Sequence, residues 1–278
     1  MAVSKRAGTV VKTLLLLLVL VVIGFFILIP FFWMLSISFK KLSDIFVFPL
    51  KLIPRDPTVE NYGATFTNLA FIRSFLNSIF VACAITAGSI IISAMAGYAL
   101  AKYRFRFRNT ILLIIIIGIM IPIHVVVIPL FLQMNRLGLI NSYFALILPF
   151  VVSPWGIFLV RQFLVDIPND LIDAARIDGA REFRIFWFVV LPLSRPVLAV
   201  LAVITFLNAW NEFLWPVVAV RDEHLRTLPL YIAGFFRLFN VNYSEMMASA
   251  FMATLPVLVI FFILQKQFVS GLTYGSFK

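Results

Sequence analysis

Two groups of polar side chains in this sequence could do chemistry, and the first lies in the stretch 165–192. There Asp173-Ala174-Ala175 is followed by Asp178-Gly179-Ala180. Pro168 and Asn169, acidic residues in the first turns and a glycine at the end predict a short capped helix that stops at Gly179. Its two alanines keep it narrow enough to enter a groove on another protein. A docking helix is one interpretation, and an ordinary solvated interfacial helix is the other.

The second group lies within an apolar stretch and consists of Asn208, Trp210, Asn211 and Glu212. A carboxylate inside a membrane helix is costly, so it points to a lined cavity or to a hydrogen-bond partner on another helix. Aromatic stacking together with amide and carboxyl hydrogen bonds is chemistry that suits sugars. The group therefore predicts part of a translocation path, and a polar cluster that braces helix packing is the alternative.

Signatures of catalysis and of metal binding do not occur in the sequence. It has no Gly-x-x-x-x-Gly-Lys-Ser/Thr loop, no Gly-x-Ser-x-Gly elbow and no His-Glu-x-x-His pair. His124 has no Cys, Asp or Glu near it in the sequence, and His224 lies in a charged outer loop where we expect it to be solvated. The single Cys83 allows neither an internal disulfide nor a paired-thiol metal site. We therefore expect no enzyme activity, no metal and no cofactor on this chain.

The composition indicates a membrane protein. Of 278 residues, 63% are hydrophobic and 13% are charged, and the mean hydropathy is +1.06. Soluble domains are far more polar than this. The net charge of +11 fits basic residues that flank membrane helices, and no basic patch interleaved with aromatic residues lies outside those flanks. Nucleic acid is therefore not an expected partner.

Apolar runs of about 20 residues or more predict six membrane-spanning helices in one transmembrane domain over 1–278. The first is interpreted as a retained helix, because the run is too long for a signal peptide and no small-residue cleavage site follows it. The expected architecture is all-α with no strands. The predicted spans are 13–35, 77–101, 110–133, 142–163, 193–220 and 249–268.

The charge distribution predicts that both termini lie in the cytoplasm. The short loop 102–108 carries Lys102, Arg104, Arg106 and Arg108, and short loops weigh most in the positive-inside rule. This places the loop 165–192 inside the cell, and the loops 36–76 and 221–247 outside. Internal prolines and glycines in several spans indicate kinked, closely packed helices.

The motif in 165–192 resembles the EAA loop of ABC importer permeases, through which the membrane subunit engages its ATPase. The resemblance includes Phe186 and Val190-Leu191-Pro192 downstream. One departure is Asp173, where the family usually has Glu. Four further segments are similar to the carbohydrate-uptake (maltose-type, MalG-like) branch: Asn77-Ser78, 97–103, Ile128-Pro129-Leu130 and Trp210-Asn211-Glu212-Phe213. The tail 271–278 is similar to that of the MalG-type subunit.

The resemblance implies a MetI-like permease bundle in the plasma (inner) membrane of a prokaryote. The chain would form half of the translocation pathway of an ATP-driven importer for sugars, oligosaccharides or polyols. Its expected partners are a second homologous permease in a heterodimer, two ATPase subunits that carry ATP and Mg²⁺, and an external substrate-binding protein. An ion-coupled secondary transporter and a non-transport scaffold are the alternatives.

The resemblance also assigns roles to residues. Asp173 would contact a basic residue of the ATPase, Ala174 and Ala175 would pack in its groove, and Gly179 would set the turn, with Asp178 and Ala180 beside it. The loop 221–247 would contact the binding protein. The tail would reach the ATPase pair through Gly271, Leu272, Thr273 and Gly275, together with Lys278.

Overall fold

A computed structural model describes residues 2–237 and 241–273, and in these residues the protein is all-helical, as predicted, without a β-strand. The helices, in chain order, are α1 (Ala2–Ser38), α2 (Glu60–Thr67), α3 (Leu69–Lys102), α4 (Arg108–Met120), α5 (Ile123–Arg136), α6 (Tyr143–Val151), α7 (Pro154–Val165), α8 (Asp170–Ile177), α9 (Glu182–Ile185), α10 (Leu191–Leu193), α11 (Arg195–Asn211), α12 (Leu214–Ala219), α13 (Leu228–Gly234) and α14 (Tyr243–Thr273). A π-helical turn, Phe186–Val190, joins α9 to α10.

Four helical stretches in the described residues are long and apolar enough to cross a membrane: Lys12–Ser38, Leu69–Lys102, Tyr143–Val165 and Tyr243–Ile263. Two further stretches pass the same test only as bent pairs. The bend is 105° between Arg108–Met120 and Ile123–Arg136. It is 76° between Glu182–Leu193 and Arg195–Asn211. Six spans result when each pair counts as one.

The spans 110–133 and 142–163, which are predicted to be kinked, are each divided into two helices. Ile121 and Val152 leave the helical region with ψ of 114° and 105°. Ile121 directly precedes Pro122, and a residue before proline is pushed toward extended backbone. Val152 is followed by Ser153, whose hydroxyl accepts the Gly156 N–H at 3.0 Å and so begins α7 anew ahead of Pro154.

The predicted helix 193–220 is also interrupted, at Glu212, where ψ is 123°. The Glu212 carboxylate accepts the backbone N–H of Trp215 at 3.0 Å and so begins α12. The outer loops are shorter than predicted, because α3 begins at Leu69 and α14 at Tyr243. The loop 36–76 also contains α2.

The chain divides into two compact units. The first comprises the residues up to Asn68 together with Phe235–Thr254. Within it, the Tyr62 hydroxyl lies 2.7 Å from the Ser38 hydroxyl, and the Asn61 amide donates to the Ser38 and Lys40 carbonyls at 2.8 and 2.9 Å. These bonds attach α2 to the end of α1. The single transmembrane domain over 1–278 stays a prediction.

The second unit comprises Leu69–Gly234 and the residues from Leu255 onward, and α3 packs closely against α7 in its centre. A Cβ at Gly97 would lie 2.9 Å from the backbone nitrogen of Arg161, and one at Gly88 would lie 2.9 Å from the Val151 side chain. On α7, a Cβ at Gly156 would meet the Ser93 hydroxyl at 2.6 Å. The small residues predicted to allow close helix approach therefore do so.

Replacing Gly97 with alanine tests this packing. The atom nearest the added methyl group is the Arg161 backbone nitrogen, which cannot rotate away as a side chain could. We therefore expect the free energy of unfolding to fall by about 1–3 kcal/mol. The readout is the apparent Tm of the detergent-purified protein. Gly24→Ala is the matched control, because no atom lies within 4 Å of its Cβ position. Equal Tm values for the two variants would contradict the close contact.

Candidate functional site

The first candidate group forms a short helix, α8, held at its start by a lysine from α3. Asn169 occupies the N-cap position of α8, as predicted, but its side chain accepts no hydrogen bond from the first turn of the helix. Its Oδ1 instead accepts from the Nζ of Lys102 at 3.0 Å, and Lys102 also donates to the Ile167 carbonyl. The start of α8 is therefore fixed from α3.

The end of α8 has the geometry that the sequence predicted. Gly179 has φ of +79°, a left-handed backbone conformation that favours glycine. The N–H of Gly179 bonds to the Arg176 carbonyl and that of Ala180 to the Ala175 carbonyl, both at 3.0 Å. The chain therefore turns back toward α9 directly after α8.

The two faces of α8 differ. Ile172 is buried and Ala175 packs beside it against the core that also contains Tyr98 and Phe186. On the opposite face Ala174 is exposed, and Ile177 is 87% exposed. The alanine pair is thus divided between two environments: Ala175 packs on its own chain, and only Ala174 lies open to a partner.

Asp173 already has an ion-pair partner within the chain. Its Oδ1 lies 2.9 Å from Nη1 of Arg176, and Nε of Arg176 lies 2.8 Å from Oε1 of Glu182. The hydrogen bond that Arg176 donates to the Glu182 carboxylate holds the pKa of the Arg176 guanidinium above its usual value. The Asp173 side chain is 57% exposed, and exposed pairs of this kind contribute little stability. Its carboxylate therefore remains accessible to a second cation.

Sequence reasoning missed Glu182 and the tyrosines that bind it. The Tyr103 hydroxyl donates to Oε2 of Glu182, and the Tyr98 hydroxyl lies 3.4 Å from the same oxygen. Burial raises the pKa of Tyr103, so the hydroxyl stays protonated and remains a donor. The available signal was the motif 97–103, which holds both tyrosines and Lys102.

The second candidate group borders a cavity of about 770 Å³ in the second unit. Asn208, Asn211 and Glu212 line it together with Thr227, whose buried hydroxyl has no hydrogen-bond partner. Trp210 does not belong to the lining of this cavity, and its role in a translocation path stays a prediction. It is 3% exposed, and its ring packs against Phe206 with centroids 5.7 Å apart.

The Asn77-Ser78 motif at the other end of α3 holds the loop after α12. The Asn77 amide donates to the carbonyls of His224 and Arg226 at 2.8 and 2.9 Å, and its Oδ1 accepts from the Tyr143 hydroxyl at 2.7 Å. The Ser78 hydroxyl accepts the N–H of Leu228 at 2.7 Å. The loop 221–228 is therefore anchored on α3.

The tail residues extend the last helix. Gly271, Leu272 and Thr273 lie in the final turn of α14, whereas Gly275 and Lys278 lie outside the described residues. In the described ranges 2–237 and 241–273, no three His, Cys, Asp or Glu side chains converge on a metal position.

Comparisons with known proteins agree on one family. Residues 89–274 match the binding-protein-dependent transport system inner membrane component. The chain is 36% identical over 277 residues, 99% of both chains, to the arabinooligosaccharides transport system permease protein AraQ of Halalkalibacterium halodurans. It is 32% identical, over 94% of both chains, to the lactose transport system permease protein LacG of Rhizobium radiobacter.

A solved structure has the same fold. It is the crystal structure of a bacterial ABC transporter involved in the import of the acidic polysaccharide alginate. The TM-score is 0.83 at 28% identity, over 95% of this chain and 98% of that chain. The expected permease bundle is thereby confirmed.

Replacing Lys102 with methionine tests how α8 is held. Methionine cannot donate, so the hydrogen bonds to the Ile167 carbonyl and to Asn169 Oδ1 are lost. We therefore expect amide exchange in the first turn of α8 to accelerate about tenfold. Hydrogen exchange with mass spectrometry of the peptide 166–176 measures this. Lys41→Met, at an exposed lysine of the first unit, is the control. Unchanged exchange in the Lys102 variant would show that α8 is held by packing alone.

Proposed function

The chain belongs to the family of binding-protein-dependent transport system inner membrane components, and from this we propose that it is one membrane subunit of an ABC importer for carbohydrates. Its substrates are sugars, oligosaccharides or polyols. It forms half of the translocation pathway, and a second, homologous permease forms the other half. An external substrate-binding protein delivers the substrate to the loop 221–247.

The substrate class is supported by two independent lines. The relatives that match almost the whole chain are named for arabinooligosaccharide and lactose transport. The cavity in the second unit presents amide, carboxylate and hydroxyl groups from Asn208, Asn211, Glu212 and Thr227. Such groups recognise hydroxyl-rich ligands, because they both donate and accept hydrogen bonds.

Coupling to a separate ATPase takes place through α8, and the exposed apolar face of this helix is the observation that carries the proposal. Ala174 and Ile177 lie exposed there, and Phe183, directly after the turn, is 68% exposed. Exposed apolar side chains beside charged ones are typical of docking surfaces. The Asp173 carboxylate adds a contact to a basic residue of the ATPase, with Asp178 and Ala180 at the rim.

The ATPase pair carries ATP and Mg²⁺, so that hydrolysis takes place on partner chains and none on this one. ATP binding closes the pair and moves α8, and this movement shifts the membrane helices between inward-open and outward-open arrangements. A ligand can shift such an equilibrium only through different contacts in the two states. The tail residues Gly271, Leu272, Thr273 and Gly275 reach the ATPase pair as a second attachment.

The proposal is tested by purifying the tagged chain from its native membrane in mild detergent and identifying what copurifies by mass spectrometry. Recovery of an ATPase and a second six-helix permease supports it. Recovery of the chain alone, even with ATP turnover trapped, would overturn it and favour an ion-coupled carrier. Collapsing the ion gradient while ATP is maintained would then abolish uptake.

Replacing Gly179 with valine should uncouple transport while membrane insertion continues. The cost is confined to the backbone, because no atom lies within 4 Å of the Cβ position and φ is +79°. Left-handed backbone is unfavourable for a β-branched residue by about 1–3 kcal/mol, so the turn after α8 must change. We expect loss of the ATPase in the purification described above and loss of sugar uptake.

Gly138→Val is the matched control for this variant. Gly138 also has positive φ, +68°, and an open Cβ position, but it follows α5 and lies far from α8 in sequence. It should retain the ATPase. Normal uptake by the Gly179 variant, or equal losses in both variants, would contradict the docking role of α8.

Replacing Glu212 with glutamine separates the two roles of this side chain. Glutamine keeps an acceptor for the Trp215 N–H, so the Tm should stay unchanged, whereas neutral hydrogen bonds to sugar hydroxyls are weaker than charged ones. We expect the apparent KM for uptake of the sugar that the binding protein of the same transport system binds to rise about fivefold. If Glu212 only braces the helices, uptake will be normal, and only Glu212→Ala will lower the Tm.

A further inference from the structure

Helix α3 differs from the other long helices of the described chain. It runs for 34 residues, from Leu69 to Lys102, without an internal proline. The two other helices of more than 30 residues contain Pro30 and Pro256. At about 1.5 Å per residue α3 is about 51 Å long, enough to extend beyond both sides of the hydrocarbon core. It is therefore a continuous element from one side of the membrane to the other.

The cytoplasmic end of α3 contacts the coupling loop 165–192 at two places. Lys102 bonds to Ile167 and Asn169, directly before α8. Tyr98, in the last turns of α3, and Tyr103, directly after it, bind Glu182. Glu182 in turn pairs with Arg176 near the end of α8. The coupling helix is thus attached to α3 at both of its ends.

The outer end of α3 contacts the loop 221–228. Asn77 and Ser78 hold its backbone through three hydrogen bonds of 2.7–2.9 Å. Nη1 of Arg73, one turn earlier, lies 2.7 Å from Nδ1 of His224. Both Asn77 and Ser78 are buried, so these bonds are shielded from water.

Between its ends α3 has little freedom to change its contact with α7. At Gly97 a Cβ would lie 2.9 Å from the backbone nitrogen of Arg161 on α7, and at Gly88 it would lie 2.9 Å from the Val151 side chain at the end of α6. Densely packed interiors transmit displacement, because they have few voids into which side chains can relax. We therefore expect a displacement at one end of α3 to be transmitted to the other end.

We propose that α3 transmits movement between the coupling helix and the outer loop 221–228, so that ATP binding inside changes the arrangement of the loop that faces the binding protein. The inference rests on the proposed function, since it needs an ATPase on one side and a binding protein on the other. Lys102, Tyr103 and Glu182 act as positioning residues at the inner end, and Asn77 and Ser78 at the outer end. If ATP changes the affinity of the outer loop for the binding protein by some factor, the binding protein must change the affinity for ATP by that same factor.

The test uses the complete importer in lipid nanodiscs, with a nitroxide label on the outer loop. The label is attached at Arg221→Cys in a Cys83→Ser background, because Cys83 is the single native cysteine. Mg-ATP is the probe, so no sugar has to be known. The electron paramagnetic resonance spectrum is recorded with and without Mg-ATP, and ATPase content and hydrolysis are measured for each sample.

We expect Mg-ATP to change the spectrum of the labelled reference protein. Glu182→Gln at the inner end and Asn77→Ala at the outer end should each reduce the ATP-dependent change about threefold to fivefold. In the double variant the ATP-dependent spectral change should be no smaller than in the single variants, because both substitutions interrupt the same route. Thr86→Val, which removes a hydroxyl from α3 that bonds only within the helix to Ala82, should respond like the reference.

A full response in both single variants, or reductions that multiply in the combined variant, would overturn the proposal. If either variant fails to assemble, Tyr103→Phe and Ser78→Ala replace it, since each removes one hydroxyl. The proposed function fails differently: the unmodified chain then copurifies without an ATPase, and the reference protein itself does not respond to Mg-ATP.

Discussion

The close approach of α3 to α7 is the contact on which the rest of the second unit depends. At Gly97 the two backbones are separated by less than a side chain would need, with the Arg161 nitrogen directly opposite. In lipid, helices associate through such close packing, because apolar side chains gain little by leaving an apolar solvent. The loop that follows α7 is thereby placed beside the end of α3, where Lys102 and Tyr103 bind it.

Prolines shape the remainder of the bundle by interrupting helices at defined points. Ile121, ahead of Pro122, and Val152, near Pro154, take extended backbone. Glu212 does so without a proline and uses its carboxylate to begin the next helix. The breaks at Val152 and Glu212 adjoin the cavity, because Val152 and Glu212 belong to its lining. Polar groups and open backbone at membrane depth therefore occur together, as expected where they face a cavity.

Several features could be read from the sequence because a single local rule governs each of them. The apolar runs predict the spans. A glycine at the end of the short helix, Gly179, predicts the turn there, and Gly179 has the left-handed backbone conformation. Features that depend on a partner distant in sequence could not be read in this way. Trp210 packs in the core because Phe75 and Phe206 lie against it. Asn169 binds Lys102, a residue 67 positions away, in preference to its own helix.

The ion pair between Asp173 and Arg176 has a consequence for biogenesis. A carboxylate that depended on a partner protein for its counter-charge would stay unpaired until that partner arrived. Here the chain supplies its own arginine, and Glu182 and Tyr103 complete the arrangement. The Asp173 carboxylate therefore has its counter-charge within the subunit, so this position of α8 is already charge-paired before any partner binds.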